Sequence, residues 1–147
     1  MFRRTLLAAA LACATSPALA SEKKEAKVEV GQYVDLSPVA LPIVVRGQLV
    51  NYVFVYVRIN LTTGANSVKL REKEPYFRDA LVRAGHRTPF TKADDYMVVD
   101  VGRLTSTLQR EAVAIAGPGM VRSVVVTSQA PKRRTGVPTP RAAPGQS

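Results

Sequence analysis

From Leu49 to Leu61 the chain alternates with a period of two. Val53, Val55, Val57, Ile59 and Leu61 fall on one side, and Tyr52, Phe54, Tyr56, Arg58 and Asn60 on the other. Successive side chains of a strand point to opposite faces, so this is one long strand with an unbroken core face and a second face that passes from aromatic to polar. Residues 33–45 are also rich in Val, Leu and Ile, but Pro38 and Pro42 interrupt them. Proline has no N–H for a ladder, which predicts an edge strand or two short strands with a break. Arg46-Gly47-Gln48 is the turn that joins the two runs as an antiparallel hairpin.

The period then changes. After the loop Thr62-Thr63-Gly64-Ala65-Asn66, with capping residues at its end, Phe77, Ala80, Leu81 and Ala84 recur at helical spacing. Pro75 suits the first turn of this helix, and Gly85 suits its C-cap. Residues 67–74 fit either an earlier helical turn or the end of a strand. Residues 88–95 form a loop, and Asp100 caps a second helix over 101–116 with the stripe Val101, Leu104, Leu108, Ala112 and Ile115. Gly117-Pro118-Gly119 stops that helix, and Met120–Ser128 is a last strand centred on Val124, Val125 and Val126. The order strand-strand-helix-helix-strand predicts an α+β fold, an antiparallel sheet with two helices packed on one face. Beyond it the segment 130–147 contains Pro131, Pro138, Pro140 and Pro144 and almost nothing apolar, which predicts disorder.

Ahead of the domain stands a different pattern. Arg3 and Arg4 precede an apolar stretch from Leu6 to Ala14, and Ala18-Leu19-Ala20 then offers small residues to a signal peptidase, with cleavage before Ser21. The apolar stretch is shorter than the ~20 residues that span a bilayer. The Arg3-Arg4 pair also fits a twin-arginine signal, with Phe2 where a polar residue belongs; an ordinary secretory signal is the simpler reading. Cys13, half fitting a lipidation site, is more simply apolar filler of the signal. The expected organisation is a cleavable signal over 1–20, a charged lead-in over 21–32, an α+β domain over 33–129 and a basic Pro-rich tail over 130–147, in the periplasm. Cys13 is the sole cysteine. Its loss with the signal leaves no disulfide and no thiolate metal site.

The formal charge is +10. The basic residues gather at the ends, with Lys132, Arg133, Arg134 and Arg141 in the tail, while the middle is nearly balanced. Such ends suit a weak hold on anionic membrane surfaces or acidic proteins. No nucleic-acid motif is present. Candidate chemistry is sparse. His86, the only histidine, follows a helix end with no nucleophile-elbow serine to serve. Asp94, Asp95 and Asp100 lack the alternation of a calcium loop and read as a helix start. Gly117-Pro118-Gly119 precedes a strand, unlike a phosphate loop. Tyr52, Phe54 and Tyr56 either stack on a sugar or base, or pack under a helix or against a neighbouring subunit. These readings describe a non-catalytic protein with no cofactor and no metal.

Several segments together carry a resemblance. They are Tyr33-Val34-Asp35-Leu36-Ser37-Pro38-Val39, Tyr52-Val53-Phe54-Val55-Tyr56-Val57, Pro75-Tyr76-Phe77-Arg78-Asp79-Ala80-Leu81, and Val121-Arg122-Ser123-Val124-Val125-Val126 ending at Gln129. Over residues 33–129 the chain resembles the periplasmic domain of the FliL family of flagellar basal-body proteins. The resemblance implies a fold related to stomatin and prohibitin domains, side-by-side assembly into oligomers, and contact with stator units. The family's uncleaved membrane anchor is here a cleavable signal, and the basic tail is additional. The edge strand 33–45 and the charged side of the first helix, with Arg78, Asp79 and Arg83, form the expected partner surface. Two functions follow as expectations. One is an exported protein-interaction domain of the cell envelope, associated with the flagellar basal body or stator. The other is a periplasmic adaptor that binds anionic surfaces through its basic ends.

Overall fold

A computed structural model describes residues 32–141. The expected export signal, with Ala18, Ala20 and Ser21, lies outside them. The elements run β1 (Tyr33–Asp35), β2 (Val39–Val45), β3 (Gln48–Leu61), α1 (Ser67–Glu72), α2 (Glu74–Arg87), α3 (Val101–Ala116) and β4 (Val121–Pro131). The fold is α+β, with an antiparallel four-stranded sheet.

β3 is central. β1 pairs with its C-terminal part (Tyr33 opposite Asn60) and β2 with its N-terminal part (Val39 opposite Val55), so both lie along one edge of β3. β4 runs along the other edge, from Pro131 opposite Val53 to Val121 opposite Leu61. The proline-bearing run is thus two strands with a break, as its composition predicts, and the hairpin closes through Arg46 and Gly47. Both of these residues have positive φ, 50° and 75°, the geometry whose twist matches two-residue hairpins.

The core face of β3 is as its alternation predicts: Val53, Val55, Val57, Ile59 and Leu61 are all buried, together with Val34, Leu41, Ile43 and Val124 from the other strands and Leu36 just after β1. The helices supply Leu70, Phe77, Leu81, Leu104, Leu108 and Ala112 to the same core. The helix layer differs from the expected pair by a third, short helix. Residues 67–72 form α1, capped by Asn66, whose side chain accepts from the Lys69 amide at 3.1 Å. Asp100 caps α3 in the same way, at 3.0 Å from the Arg103 amide.

Two further boundaries and the burial of one stripe residue depart from expectation. α2 continues to Arg87, so Gly85 is not its cap. It is a buried helical position pressed on β2, where an added Cβ would meet Leu41 Cδ2 at 2.7 Å. Val101, assigned to the apolar stripe of α3, is 39% exposed, because it sits at the first residue of the helix, before the contact with the sheet begins. β4 runs three residues past the expected Ser128. Lys132 then donates its amide to the Tyr52 carbonyl at 2.7 Å, so the boundary drawn at residue 130 falls inside paired structure. Residues 142–147 of the expected tail lie outside the described residues.

The loop 88–100 is more ordered than its composition promises. A bridge between Thr91 and Val99 closes it, and Phe90 and Val99 are core residues at 2% and 1% exposure. No helix among the described residues is long and apolar enough to cross a membrane.

Candidate interaction surface on the open sheet face

Every described helix packs on the Val53–Leu61 side of the sheet, so none of them lies over the opposite side. The register assembles that side row by row. Pro42 lies opposite Tyr52, and Ala40, Phe54 and Ala130 share the next row. Tyr56 follows, with Ser128 beside it. Asp35, Arg58 and Val125 form a row, then Tyr33, Asn60 and Ser123. At its middle Phe54, Tyr56 and Val125 are 39%, 42% and 39% exposed. Of the expectations for the aromatic row, packing under a helix of this chain does not hold among the described residues.

Charged groups frame the aromatic row. At one end Arg58 makes a two-pronged pair with Asp35, Nε to Oδ1 at 2.6 Å and Nη2 to Oδ2 at 2.9 Å. Its guanidinium carbon lies 3.9 Å from the centroid of the Tyr33 ring. The hydrogen bond that Arg58 donates to Asp35 raises the Arg58 pKa above the ordinary arginine value, outweighing partial desolvation. The guanidinium is therefore a fixed positive charge, held in plane by a carboxylate and a ring. Between β1 and β2 the edge is broken, and a concavity of about 430 Å³ opens there, lined by Asp35, Leu36, Tyr56, Arg58 and Thr127. At the other end Lys132 Nζ stands 5.9 Å from the Tyr52 centroid.

The sheet edges are poorer surfaces for a partner than expected. On the β1/β2 side Pro38 and Pro42 bring no N–H. The Val44 amide donates to Thr91 Oγ1 at 3.0 Å, and the same hydroxyl donates to the Val44 carbonyl. The Ser37 amide donates to Glu74 Oε1 at 2.9 Å. On the far side β4 carries register shifts opposite Tyr56/Val57 and Asn60/Leu61. Prolines, plugs and bulges are the usual means of blunting an edge.

The other expected site residues are dispersed. On α2, Asp79 pairs with Arg83 at 3.0 Å and Arg78 with Glu74 at 3.7 Å. These charges are engaged within the helix and stand on the helix layer, away from the aromatic face. Of the basic tail, Lys132 joins the face. Arg133 is tied by its backbone, its amide donating to Asn51 Oδ1 at 3.0 Å and its carbonyl accepting from Asn51 Nδ2 at 3.2 Å. Arg134 lines a concavity with Asp94, Asp95, Tyr96 and Met97, and Arg141 is exposed.

The residues weighed for catalysis have separate partners. His86 Nδ1 donates to the Val82 carbonyl at 2.9 Å. Asp94 pairs with Lys92 at 3.4 Å, Asp95 accepts from the Met97 amide at 2.8 Å, and Asp100 caps α3. Among the described residues no three His, Cys, Asp or Glu side chains converge as a metal site would require.

The Tyr33–Arg58–Asp35 cluster and the place of Val125 and Lys132 on the face were not anticipated. Opposite charges on the polar faces of adjacent predicted strands were the available signal, but only the register brings them together. No protein-family model matches the chain, and no curated protein matches it.

Proposed function

We propose that the protein is an exported, non-catalytic interaction domain of the cell envelope, and that it binds another protein through the open face of its sheet. The observation that carries this reading is the half-exposed aromatic and aliphatic row Phe54, Tyr56 and Val125 on a sheet face that no described helix covers. Aromatic side chains in a desolvated centre, ringed by charged groups, are the usual composition of a protein-binding patch. The frame of Arg58–Asp35 and Lys132 supplies such a rim. The resemblance to the FliL periplasmic domain supports flagellar basal-body or stator proteins, or further copies of this chain, as the partners.

The test is a photo-crosslinking residue in place of Tyr56, in the full chain expressed in its own host. Capture of stator or basal-body components, or of the protein itself, is the expected result, together with altered motility in a deletion strain. Recovery of lipid or polysaccharide alone, with motility unchanged, overturns the reading. In that case the adaptor function is favoured by the exposed Lys132, Arg133 and Arg134 beyond β4.

A further inference from the structure

A second surface lies in the helix layer, on the other side of the molecule from the aromatic face. The C-terminal turn of α2, the loop that follows it and α3 line a concavity of about 440 Å³ there, with the buried Phe90 on its wall. Arg87 comes to it from α2. Arg103, Thr107 and Arg110 come from α3 at i, i+4 and i+7, the spacing that stacks side chains on one helical face. Ser106 adds a second hydroxyl, and Glu111 is the one carboxylate on the lining.

The charge arrangement distinguishes this groove from an ordinary solvated helix surface. Earlier on α2, Arg78 and Arg83 each have a carboxylate four residues away. Arg87, Arg103 and Arg110 have no ion pair among the described residues, and neither does Glu111. Arg103 moreover stands in the first turn of α3, which contains no acidic residue. The positive end of the helix dipole disfavours a cation at that position. Three guanidinium groups share the concavity with the single carboxylate of Glu111, which pairs with none of them, a net positive arrangement that an anion would relieve.

We propose that this groove binds a phosphate-type oxyanion, held by the guanidinium groups of Arg87, Arg103 and Arg110 with Thr107 and Ser106 as neutral donors. Guanidinium presents paired N–H groups that match two oxygens of a phosphate, and hydroxyls satisfy those remaining. The same chemistry is offered by free inorganic phosphate and by the headgroup phosphate of an anionic lipid. The site goes beyond the protein-binding reading of the sheet face and does not depend on it.

Two arms test it with the purified protein. In the first, inorganic phosphate is titrated while backbone amide resonances are followed. Shifts are expected at Arg87, Arg103 and Thr107, and R103Q/R110Q should weaken binding at least tenfold. In the second, flotation with phosphatidylglycerol vesicles is compared with phosphatidylcholine vesicles at low salt, where exposed charges are least screened. Loss of flotation in R103Q/R110Q, but not in a K132Q/R134Q tail variant, assigns the headgroup as the source. Phosphate binding without flotation assigns the free anion. Absence of both, or binding that falls in the tail variant and not in the groove variant, overturns the proposal. The replaced side chains are exposed, so an unchanged melting curve is expected. R110Q alone, at mid-helix, gives the same reading should the double variant melt early.

Discussion

Gly85 and Asn51 hold the two layers and the chain end in place, each by a different physical means. Gly85 lets α2 lie on β2, because Leu41, fully buried, occupies the space a side chain would need. Gly85→Leu should lower stability by about 1–3 kcal/mol, the usual cost of overpacking. Gly85→Ala should change it less, because a gain in helix propensity of about 1 kcal/mol offsets part of the clash. Thermal melts of the two variants check this ordering. Asn51 is 2% exposed. Its amide donates to the carbonyls of Arg133 and Tyr96, and its oxygen accepts from the Tyr52 and Arg133 amides. Asn51→Ala should cost about 1–3 kcal/mol by leaving part-buried backbone groups unpaired, and amide exchange at Arg133 should rise more than at Val124. Asn51 was detectable in the sequence, since it shares the parity of Val53 to Leu61 and is the one polar residue on that side. Gly85 was not, because a glycine near a helix end looks the same whether it caps or packs.

At the scale of elements, legibility followed periodicity. β3, the body of α2 and α3 each bury one regular stripe, and their side-chain spacing reveals it. The loop 88–100 has no period, so nothing marked Phe90 and Val99 as core. They are carried inward by the Thr91–Val99 bridge and by the Asp100 amide donating to the Phe90 carbonyl at 2.8 Å. The end of β4 was missed for a related reason. Proline and basic residues depress any strand expectation, but the bonds from Lys132 and Arg133 use main-chain atoms that composition does not report. A chain stopped after Arg134 should therefore keep its melting temperature better than one stopped after Ala130. The shorter chain should melt lower by more than about 4 °C, which corresponds to roughly 1 kcal/mol in a domain of this size. Equal melting temperatures would show that the Asn51 contacts add nothing to stability.

The described domain is two-sided: one face of the sheet packs against the helices, and no described helix covers the other. Phe54→Ser and Tyr56→Ser should thus leave stability within about 0.5 kcal/mol, as for surface positions outside caps and networks, while abolishing partner capture. A comparable loss of stability in both would move these rings from the interaction surface into the fold itself. The architecture was readable from the order of elements, and so was the existence of an aromatic face. What required three dimensions was the finding that none of the described helices returns to cover it.

β3 becomes a central strand only when β4 arrives. Its first neighbour, β2, is reached through a two-residue turn, but β4 closes from far along the chain, Pro131 meeting Val53 and Val121 meeting Leu61. Closing a long loop costs entropy before any contact rewards it, so the hairpin should form early and the β3–β4 pairing late. During synthesis from the N-terminus the strand that completes the sheet emerges after the other three strands and the three described helices. Until then β3, from Gln48 to Leu61, offers an unpaired, Val-rich edge of the kind that captures other strands. The time the chain spends waiting for β4 is therefore when it is most exposed to aggregation, and when a chaperone would matter most to it.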